Sequence, residues 1–211
     1  NSLDPNNNYG KIRSINDFLR DIDAGTIPLA TKNRFKAQVL FFRAYRYFDL
    51  VRLYGGVPLI LTSLPAIGDE AKDAAKLPRN ATTECIHQII KDLDTAIKYL
   101  PGRWNDPAAN WGRITRGAAA AFKGRVLLTY ASPQFNPTDL QDRWRDAYDA
   151  NLQAYSLLTA SGFGLSASYE NIWFPASETE NPEAVLVTGY NNSTGDQTKK
   201  NNGYDRATRP S

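Results

Sequence analysis

Residues 32–54 predict one long helix that is apolar on two of its sides. On a helical wheel of about 100° per residue, a broad apolar face and a narrower one are separated by a thin polar seam. The broad face carries Ala37, Leu40, Phe41, Ala44, Phe48 and Val51, and the narrow face carries Phe35, Val39, Phe42 and Leu53, with Arg46 beside it. Because such a helix must be covered on both sides, as an inner helix of a stack is, we expect both faces to be buried.

The polar seam and the end of this helix support the same interpretation. Asp49 lies three residues from both Arg46 and Arg52, so it can be paired within its own helix. A glycine pair then ends the helix, because glycine adopts the left-handed cap conformation and Pro58 prevents further helix. The aromatic residues are therefore interpreted first as packing groups, with a direct ligand contact by Tyr45 or Tyr47 as the alternative.

Four further segments have the apolar spacing of amphipathic helices. They are residues 9–23, 82–100, 115–131 and 141–159, the last with Trp144, Ala147, Tyr148, Leu152 and Tyr155. Gly117, Ala121, Gly124 and Leu128 lie on one line, which lets a neighbouring helix approach closely. We therefore expect a mainly α protein in which residues 1–160 form a TPR-like stack of helical hairpins and residues 9–159 are almost entirely helical. The spacing of the helix starts is irregular, so the sequence pattern leaves another helical-hairpin stack open.

The sequence changes character after residue 160. Residues 161–211 are rich in glycine, serine and asparagine, with a short helix expected at 169–173 and one strand, AVLVTGY, at 184–190. A single strand needs a partner that this sequence does not contain. Together with the absence of methionine, even at position 1, this suggests a piece of a longer protein, with 161–211 leading into a missing C-terminal half.

Composition excludes several classes of protein. The net charge is +3, acids and bases are interspersed, and no Lys/Arg block exceeds two residues, which argues against a nucleic-acid partner. No apolar run approaches the roughly 18 residues of a membrane span, so we expect neither a membrane span nor a signal peptide in this sequence. The single cysteine, Cys85, excludes an internal disulfide.

The sequence offers little that could perform catalysis. The only histidine, His87, lies two residues from Cys85, about 200° around a helix, so they cannot form a zinc site or a Cys–His pair. Asp92 and Asp94 are interpreted as solvated residues on the polar side of an amphipathic helix. Nothing supports a glycosidase pair at Glu178 and Glu180. No phosphate-binding or dinucleotide-binding glycine motif is present. We therefore predict no catalytic residue, no metal site and no cofactor.

Four segments, which together cover nearly the whole chain, carry a resemblance to a known family. In chain order they are YGKIRSINDFLRDI, FRAYRYFDLVRLYGGVPL, GRITRGAAAAFKGRVLLTYASP preceded by GRWNDPAANW, and SYENIWFPASETENPEAVLVTGYN. They resemble the SusD/RagB family, and the second of them resembles its pattern F-R-A-x-x-Y-F-x-L-x-x-x-Y-G-x-V-P-L. In that family this second segment belongs to a scaffold of TPR units, which agrees with the helix inferred from the wheel.

This resemblance implies a non-catalytic protein on the cell surface. Members of the family are lipid-anchored to the outer membrane of Bacteroidetes-type bacteria, bind glycans or in some cases peptides, and cover a SusC-like TonB-dependent transporter. Members are longer than this chain, and Cys85, inside a helix, cannot replace the lipidated N-terminal cysteine. Parts of the family's binding loops are expected before Asn1 and beyond Ser211.

Candidate ligand residues lie on two loops. Exposed aromatic rings stack on sugars while polar groups bind the hydroxyls, and such rings are usually held on loops. The loop after the predicted strand mixes these residue types, and the resemblance implies that it contributes to the glycan site: Tyr190, Asn191, Asn202, Tyr204 and Arg206. Trp104 and Trp111, before the fourth helix, are weaker candidates. A TPR adaptor for peptides and a helical sugar-active enzyme remain as alternative functions.

Overall fold

The computed structural model describes residues 7–64, 76–106, 109–173 and 181–187, and its regular structure there is helical. The helices are α1 (Asn8–Ala24), α2 (Leu29–Tyr54), α3 (Thr82–Tyr99), α4 (Arg116–Ala131), α5 (Gln141–Ala160) and the short α6 (Glu170–Trp173). Every helix predicted from the sequence is present. Within the described ranges, no helix is long and apolar enough to cross a membrane.

The five long helices form a stack in which each helix packs against the next. α2 also contacts α4. This arrangement confirms the mainly α, helical-hairpin architecture. The expectation that residues 9–159 would be almost entirely helical was too broad, because residues 55–64, 76–81 and 109–115 are extended or turn.

Helix ends are fixed by specific caps. The side chain of Asn7 accepts a hydrogen bond from the amide of Gly10 (3.0 Å), and that of Thr115 accepts one from Ala118 (3.2 Å). α2 is followed by Gly55, whose φ of 71° lies in the positive region that favours glycine, whereas its ψ of -131° differs from the left-handed cap conformation expected at this glycine pair.

The broad apolar face of α2 forms the centre of the core. Phe41, Phe48 and Val51 are buried there, and the ring of Phe122 from α4 lies 5.5 Å from the rings of both phenylalanines. Phe42 was also expected to be buried, and that expectation was wrong: it is 47% exposed. The narrow apolar face is open because α1, α3 and α4 pack on the other sides of α2, and the described residues place no element over it.

A buried ion pair links α2 to α3. The guanidinium of Arg43 donates from Nε and Nη2 to the two carboxylate oxygens of Asp92, at 2.7 and 2.8 Å. The interpretation of Asp92 as a solvated residue was therefore wrong, since it is only 3% exposed. Asp92 lies three residues after Ile89, beside the apolar stripe of α3, and its partner comes from another helix. Asp94 is exposed and pairs with Lys123 at 2.6 Å.

An extended segment, residues 57–62, crosses the helices and is held mainly by their side chains. The Tyr47 hydroxyl accepts from the amide of Ile60 (2.7 Å) and donates to its carbonyl (2.9 Å). Asn16 Nδ2 donates to the carbonyls of Ile60 and Thr62 at 2.9 and 3.1 Å, and Arg43 Nη1 donates to Asn16 Oδ1 at 3.0 Å. Polar side chains thus supply the hydrogen bonds that a neighbouring strand would otherwise give.

α4 and α5 pack closely, as the line of small residues predicts. A Cβ added to Gly117 would lie 2.5 Å from Leu158 Cδ2, and one added to Gly124 would lie 2.4 Å from Asn151 Oδ1. The two contacts run in opposite directions along the chain, so the helices are antiparallel. The buried side of α5 is therefore a row of small residues, Ala147, Ala150 and Ala154.

The strand expected at 184–190 is not formed in its described part. Residues 184–187 bend, and their amides bond locally: Ala184 to the carbonyl of Asn181 and Val185 to that of Glu183. No neighbouring strand lies beside them among the described residues, so the extended pairing cannot form. Residues 188–190 lie outside the described ranges. The proposed division at residue 160 stays a prediction.

Candidate functional site

Three non-helical segments meet around a small cavity at one end of the stack. They are the loop between α3 and α4, the turn that follows α5, and residues 184–187. The cavity has a volume of about 40 Å³ and is lined by Arg103, Trp104, Asn110, Trp111, Gly112, Arg113, Thr115, Phe163, Ala184, Val185 and Val187. The sequence thus brings two tryptophans and two arginines to one place.

Trp104 is a packing residue in this loop. Its indole Nε1 donates to the carbonyl of Ile114 at 2.9 Å. The guanidinium carbon of Arg113 lies 4.5 Å from the centre of its ring, and that of Arg34 lies 5.9 Å away. Trp104 is half-buried, its hydrogen-bond donor is used and its ring is in contact with cations, so its position is constrained.

Trp111 is the less constrained of the two tryptophans. It is half-buried, lines the cavity, and has no hydrogen bond or ring contact with any other described residue. The next residue, Gly112, has a φ of 78°, a conformation that favours glycine. A Cβ there would lie 3.4 Å from Val187 Cγ2, so the loop and residues 184–187 approach closely at this point.

Asn110 holds the Trp111 loop in shape. Its side-chain Nδ2 donates to the carbonyls of Asn105 (2.7 Å) and Asp106 (3.1 Å). Its Oδ1 accepts from Arg113 Nη1 at 2.7 Å. The loop is therefore closed by its own side chains, which positions Trp111 without using that residue.

Arg103 joins this loop to the turn after α5. It donates from Nε to the carbonyl of Ser161 (2.6 Å) and from Nη2 to that of Gly162 (2.9 Å). Its guanidinium carbon lies 4.0 Å from the centre of the Phe163 ring, which is buried. Arg103 is thus oriented by three contacts while it borders the cavity.

The outcome for the predicted site residues is mixed. The structure brings Trp104 and Trp111 together at the cavity. Five predicted residues fall outside the described ranges, so their part in a site stays a prediction: Tyr190, Asn191, Asn202, Tyr204 and Arg206. Sequence reasoning missed Arg103 and Phe163. Arg103 could have been suspected because it directly precedes the predicted residue Trp104. Phe163 is distant in sequence, and only the fold brings it to the cavity.

Other parts of the described chain are weaker candidates for a functional site. Two open depressions lie on α3, α4 and α5, one bordered by His87, Lys91 and Lys98 and the other by Lys123, Asp146 and Asp149. Among the described residues no group of three or more His, Cys, Asp or Glu side chains could hold a metal ion. The cavity at Trp111 is therefore the candidate site.

Comparison with known proteins identifies the family. The family profile SusD-like_3, described as "Starch-binding associating with outer membrane", matches residues 2–128. A SusD-like protein of Bacteroides ovatus is 25% identical over 182 residues, covering 85% of this chain and 31% of that protein.

Solved structures give the same result. A SusD-like protein from Bacteroides fragilis has a TM-score of 0.70 and 31% identity, covering 87% of this chain and 32% of its own. A structure described as being with a xylogluco-oligosaccharide has a TM-score of 0.65 at 22% identity, which shows the shared fold. The match covers 87% of this chain and 34% of that one. The chain thus spans about a third of the length of these proteins. The profile match over more than half of the chain shows that it belongs to the SusD-like family.

Proposed function

We propose that this chain is part of a non-catalytic glycan-binding protein that serves a TonB-dependent uptake system at the outer membrane. The family description names starch binding and the outer membrane, and one protein of the same fold was solved with an oligosaccharide. The observation in the chain itself that carries the proposal is Trp111, a half-buried indole on a fixed loop at the edge of a cavity.

The chemistry of the cavity suits a sugar. An indole face can cover the C–H face of a pyranose ring, and a few polar groups around it can bind hydroxyls. The two arginines supply such groups beside Trp111. The cavity is too small for a whole sugar ring, so we propose that the ring rests on Trp111 and one substituent enters.

Binding by the isolated chain tests this function. We expect Trp111→Ala to weaken the affinity for the best-bound polysaccharide by on the order of 1–3 kcal/mol, with base–aromatic stacking as the nearest analogue. Affinity electrophoresis against starch, laminarin, xyloglucan and charged polysaccharides measures this. Trp173→Ala is the control, because that tryptophan is exposed but does not line the cavity.

The same assay tests the second loop. Tyr190→Ala and Tyr204→Ala should weaken binding to a similar degree if the predicted loop shares the site. Unchanged affinity in both would remove that loop, and unchanged affinity in Trp111→Ala would remove the cavity. Release of reducing ends, followed in parallel, checks the non-catalytic assignment, and appearance of products would contradict it.

The transporter partnership is tested separately. Because the proposed role is delivery to a TonB-dependent transporter, the longer protein that contains this chain should co-purify from outer membranes with a transporter of that class. A peptide-binding TPR adaptor would show no such association. Purification without any transporter would contradict the uptake role while leaving glycan binding intact.

A further inference from the structure

Two arginines border the cavity at Trp111, and none of the described residues that line it carries a carboxylate. The charged residues of this described lining are Arg103 and Arg113, and both are positive. We propose that this cavity selects glycans that carry an anionic substituent, a uronate carboxylate or a sulfate ester, which these arginines bind. The inference rests on the glycan-binding function proposed above and names the substrate class of the same site.

Both guanidiniums retain donors that the protein does not use. Arg113 bonds to Asn110 through Nη1 only, so its Nε and Nη2 have no hydrogen bond to a described residue. In Arg103 the free group is Nη1, because Nε and Nη2 donate to backbone carbonyls. The Nε–Nη2 edge of an arginine matches the two oxygens of a carboxylate or sulfate, which makes Arg113 suited to a paired contact.

Neither arginine is neutralised within the described part of the chain. Arg43, Arg52 and Arg145 are each paired with an aspartate, whereas Arg103 and Arg113 form no ion pair with a described residue. The described acids nearest in sequence to residues of the lining accept hydrogen bonds from backbone amides: Asp106 Oδ1 from Ala109 (3.2 Å) and Glu183 Oε1 from Ser166 (2.9 Å). Two positive charges that no described carboxylate neutralises favour an anion at this cavity.

The arginines are also held in place before any ligand arrives. Arg103 is stacked 4.0 Å from the centre of the Phe163 ring and Arg113 is stacked 4.5 Å from that of Trp104. Little side-chain entropy remains to be lost when an anion binds. The cavity volume of about 40 Å³ suits one substituent rather than a sugar ring, which fits a carboxylate or sulfate entering beside Trp111.

The test compares matched charged and neutral polysaccharides. Affinity electrophoresis of the 211-residue chain is run with polygalacturonate and its methyl ester, with dextran sulfate and dextran, and with neutral starch, laminarin and xyloglucan. We expect binding to at least one anionic polymer to be tenfold or more tighter than to its neutral counterpart. Polygalacturonate identifies a carboxylate ligand, and dextran sulfate identifies a sulfate ligand.

Variants then separate a site from general attraction between charges. Arg113→Gln should weaken anionic binding by roughly tenfold, since a charged hydrogen-bonded pair is lost. Arg103→Gln should do the same, and Arg103→Lys should restore part of the affinity. Arg125→Gln removes one equal charge from an exposed position on α4 and should leave binding unchanged. Far-ultraviolet circular dichroism checks that each variant is folded.

The outcomes distinguish this inference from the proposed function. Binding to neutral polymers alone, or anionic binding that Arg113→Gln and Arg103→Gln leave unchanged, overturns anionic selection and leaves glycan binding in place. An equal loss in Arg125→Gln also overturns it, because the attraction would then be non-specific. Failure to bind any polymer overturns both proposals.

Discussion

At the scale of single residues, the buried ion pair of Arg43 with Asp92 connects parts of the chain that are distant in sequence. Their ion pair joins α2 to α3, and Arg43 also bonds to Asn16, which holds the segment 57–62. The helical wheel could predict the pairs of Asp49 with Arg46 and Arg52, because both lie on the same helix. It could not predict Arg43 with Asp92, since 49 residues separate them and only the fold brings them together.

Breaking the buried pair should be costly. We expect Arg43→Met to lower the free energy of unfolding by about 3–5 kcal/mol, because it leaves the Asp92 carboxylate buried without its charge partner. Lys123→Met breaks the more exposed pair with Asp94 and should cost about 1 kcal/mol or less. Urea unfolding of both variants measures the difference. Equal losses in the free energy of unfolding would show that the buried Arg43–Asp92 pair contributes no more than the exposed one.

Because the Tyr47 hydroxyl is buried, we expect the protein to lose stability in alkaline solution. Burial raises the pKa of this hydroxyl above the ordinary value of about 10. A group whose folded pKa is raised binds its proton more tightly in the native state. The contribution of the protonated Tyr47 hydroxyl to the free energy of unfolding is therefore complete below about pH 10, and it is lost as the pH rises further. Burial also raises the pKa of Tyr9 and of Cys85, which act in the same direction.

Tyr47→Phe separates this contribution. At neutral pH it should cost about 1–3 kcal/mol, because the amide of Ile60 loses its acceptor. Between pH 9 and 11 the variant should lose less stability than the parent. Tyr54→Phe, at an exposed tyrosine, is the control. A parent chain whose urea midpoint does not fall in this range would contradict the role given to Tyr47.

At the scale of elements, the sequence predicted helices better than it predicted the connections between them. Periodic apolar residues mark each helix from α1 to α5, and Gly25 and Gly55 directly follow α1 and α2, so the positions of these helices could be read from the sequence. The segment 57–62 has no such periodicity, and its hydrogen bonds come from residues such as Tyr47 and Asn16 on other helices. For the same reason residues 184–187 looked like a strand, although no partner strand lies beside them among the described residues.

The glycine pair after α2 has two separate functions. Gly55 takes the positive φ of the helix cap, whereas Gly56 lies against the backbone that leads into α3. A Cβ on Gly56 would lie 2.0 Å from the carbonyl oxygen of Asn80, so a side chain cannot fit unless the backbone moves. The sequence predicted a cap here, but only the fold shows why two glycines are present.

Gly56→Ala should therefore be destabilising by about 1–3 kcal/mol or more, as overpacking usually is. Gly164→Ala is the matched control, because nothing lies within 4 Å of a Cβ at that position and its φ is not positive. Thermal unfolding followed by circular dichroism compares the two. A Gly56→Ala variant as stable as Gly164→Ala would mean that the backbone at Asn80 yields without cost.

At the scale of the whole molecule, the described structure leaves much apolar surface uncovered. Phe42 and Leu53 of α2 are 47% and 68% exposed, and Tyr148 and Tyr155 of α5 are 66% and 68% exposed. The wheel correctly found that α2 has two apolar faces, but it could not show what covers the second. Relatives are about three times as long as this chain, so we expect further chain to cover these faces in a protein of that length.

This surface predicts the behaviour of the 211-residue chain in solution. Uncovered aromatic side chains on one side of α5 favour association, because contiguous apolar surface is removed from water when two copies meet. We expect the molar mass from light scattering to rise with concentration. Tyr148→Lys combined with Tyr155→Lys should restore the monomer, since two charges then occupy the contact.

A charge-matched control decides whether that surface is the cause. Gln153→Lys combined with Ser156→Lys adds the same charge to exposed positions of α5 that lie roughly 80–160° around the helix from the tyrosines. Of the two, Gln153 borders the depression near Asp149. If association depends on the aromatic side, this control still associates while the tyrosine variant does not. A monomer at every concentration in the parent, or equal rescue by both pairs, would mean that the exposed tyrosines do not drive association. In that case the exposed narrow face of α2, beginning with Phe42, is the next apolar surface to test.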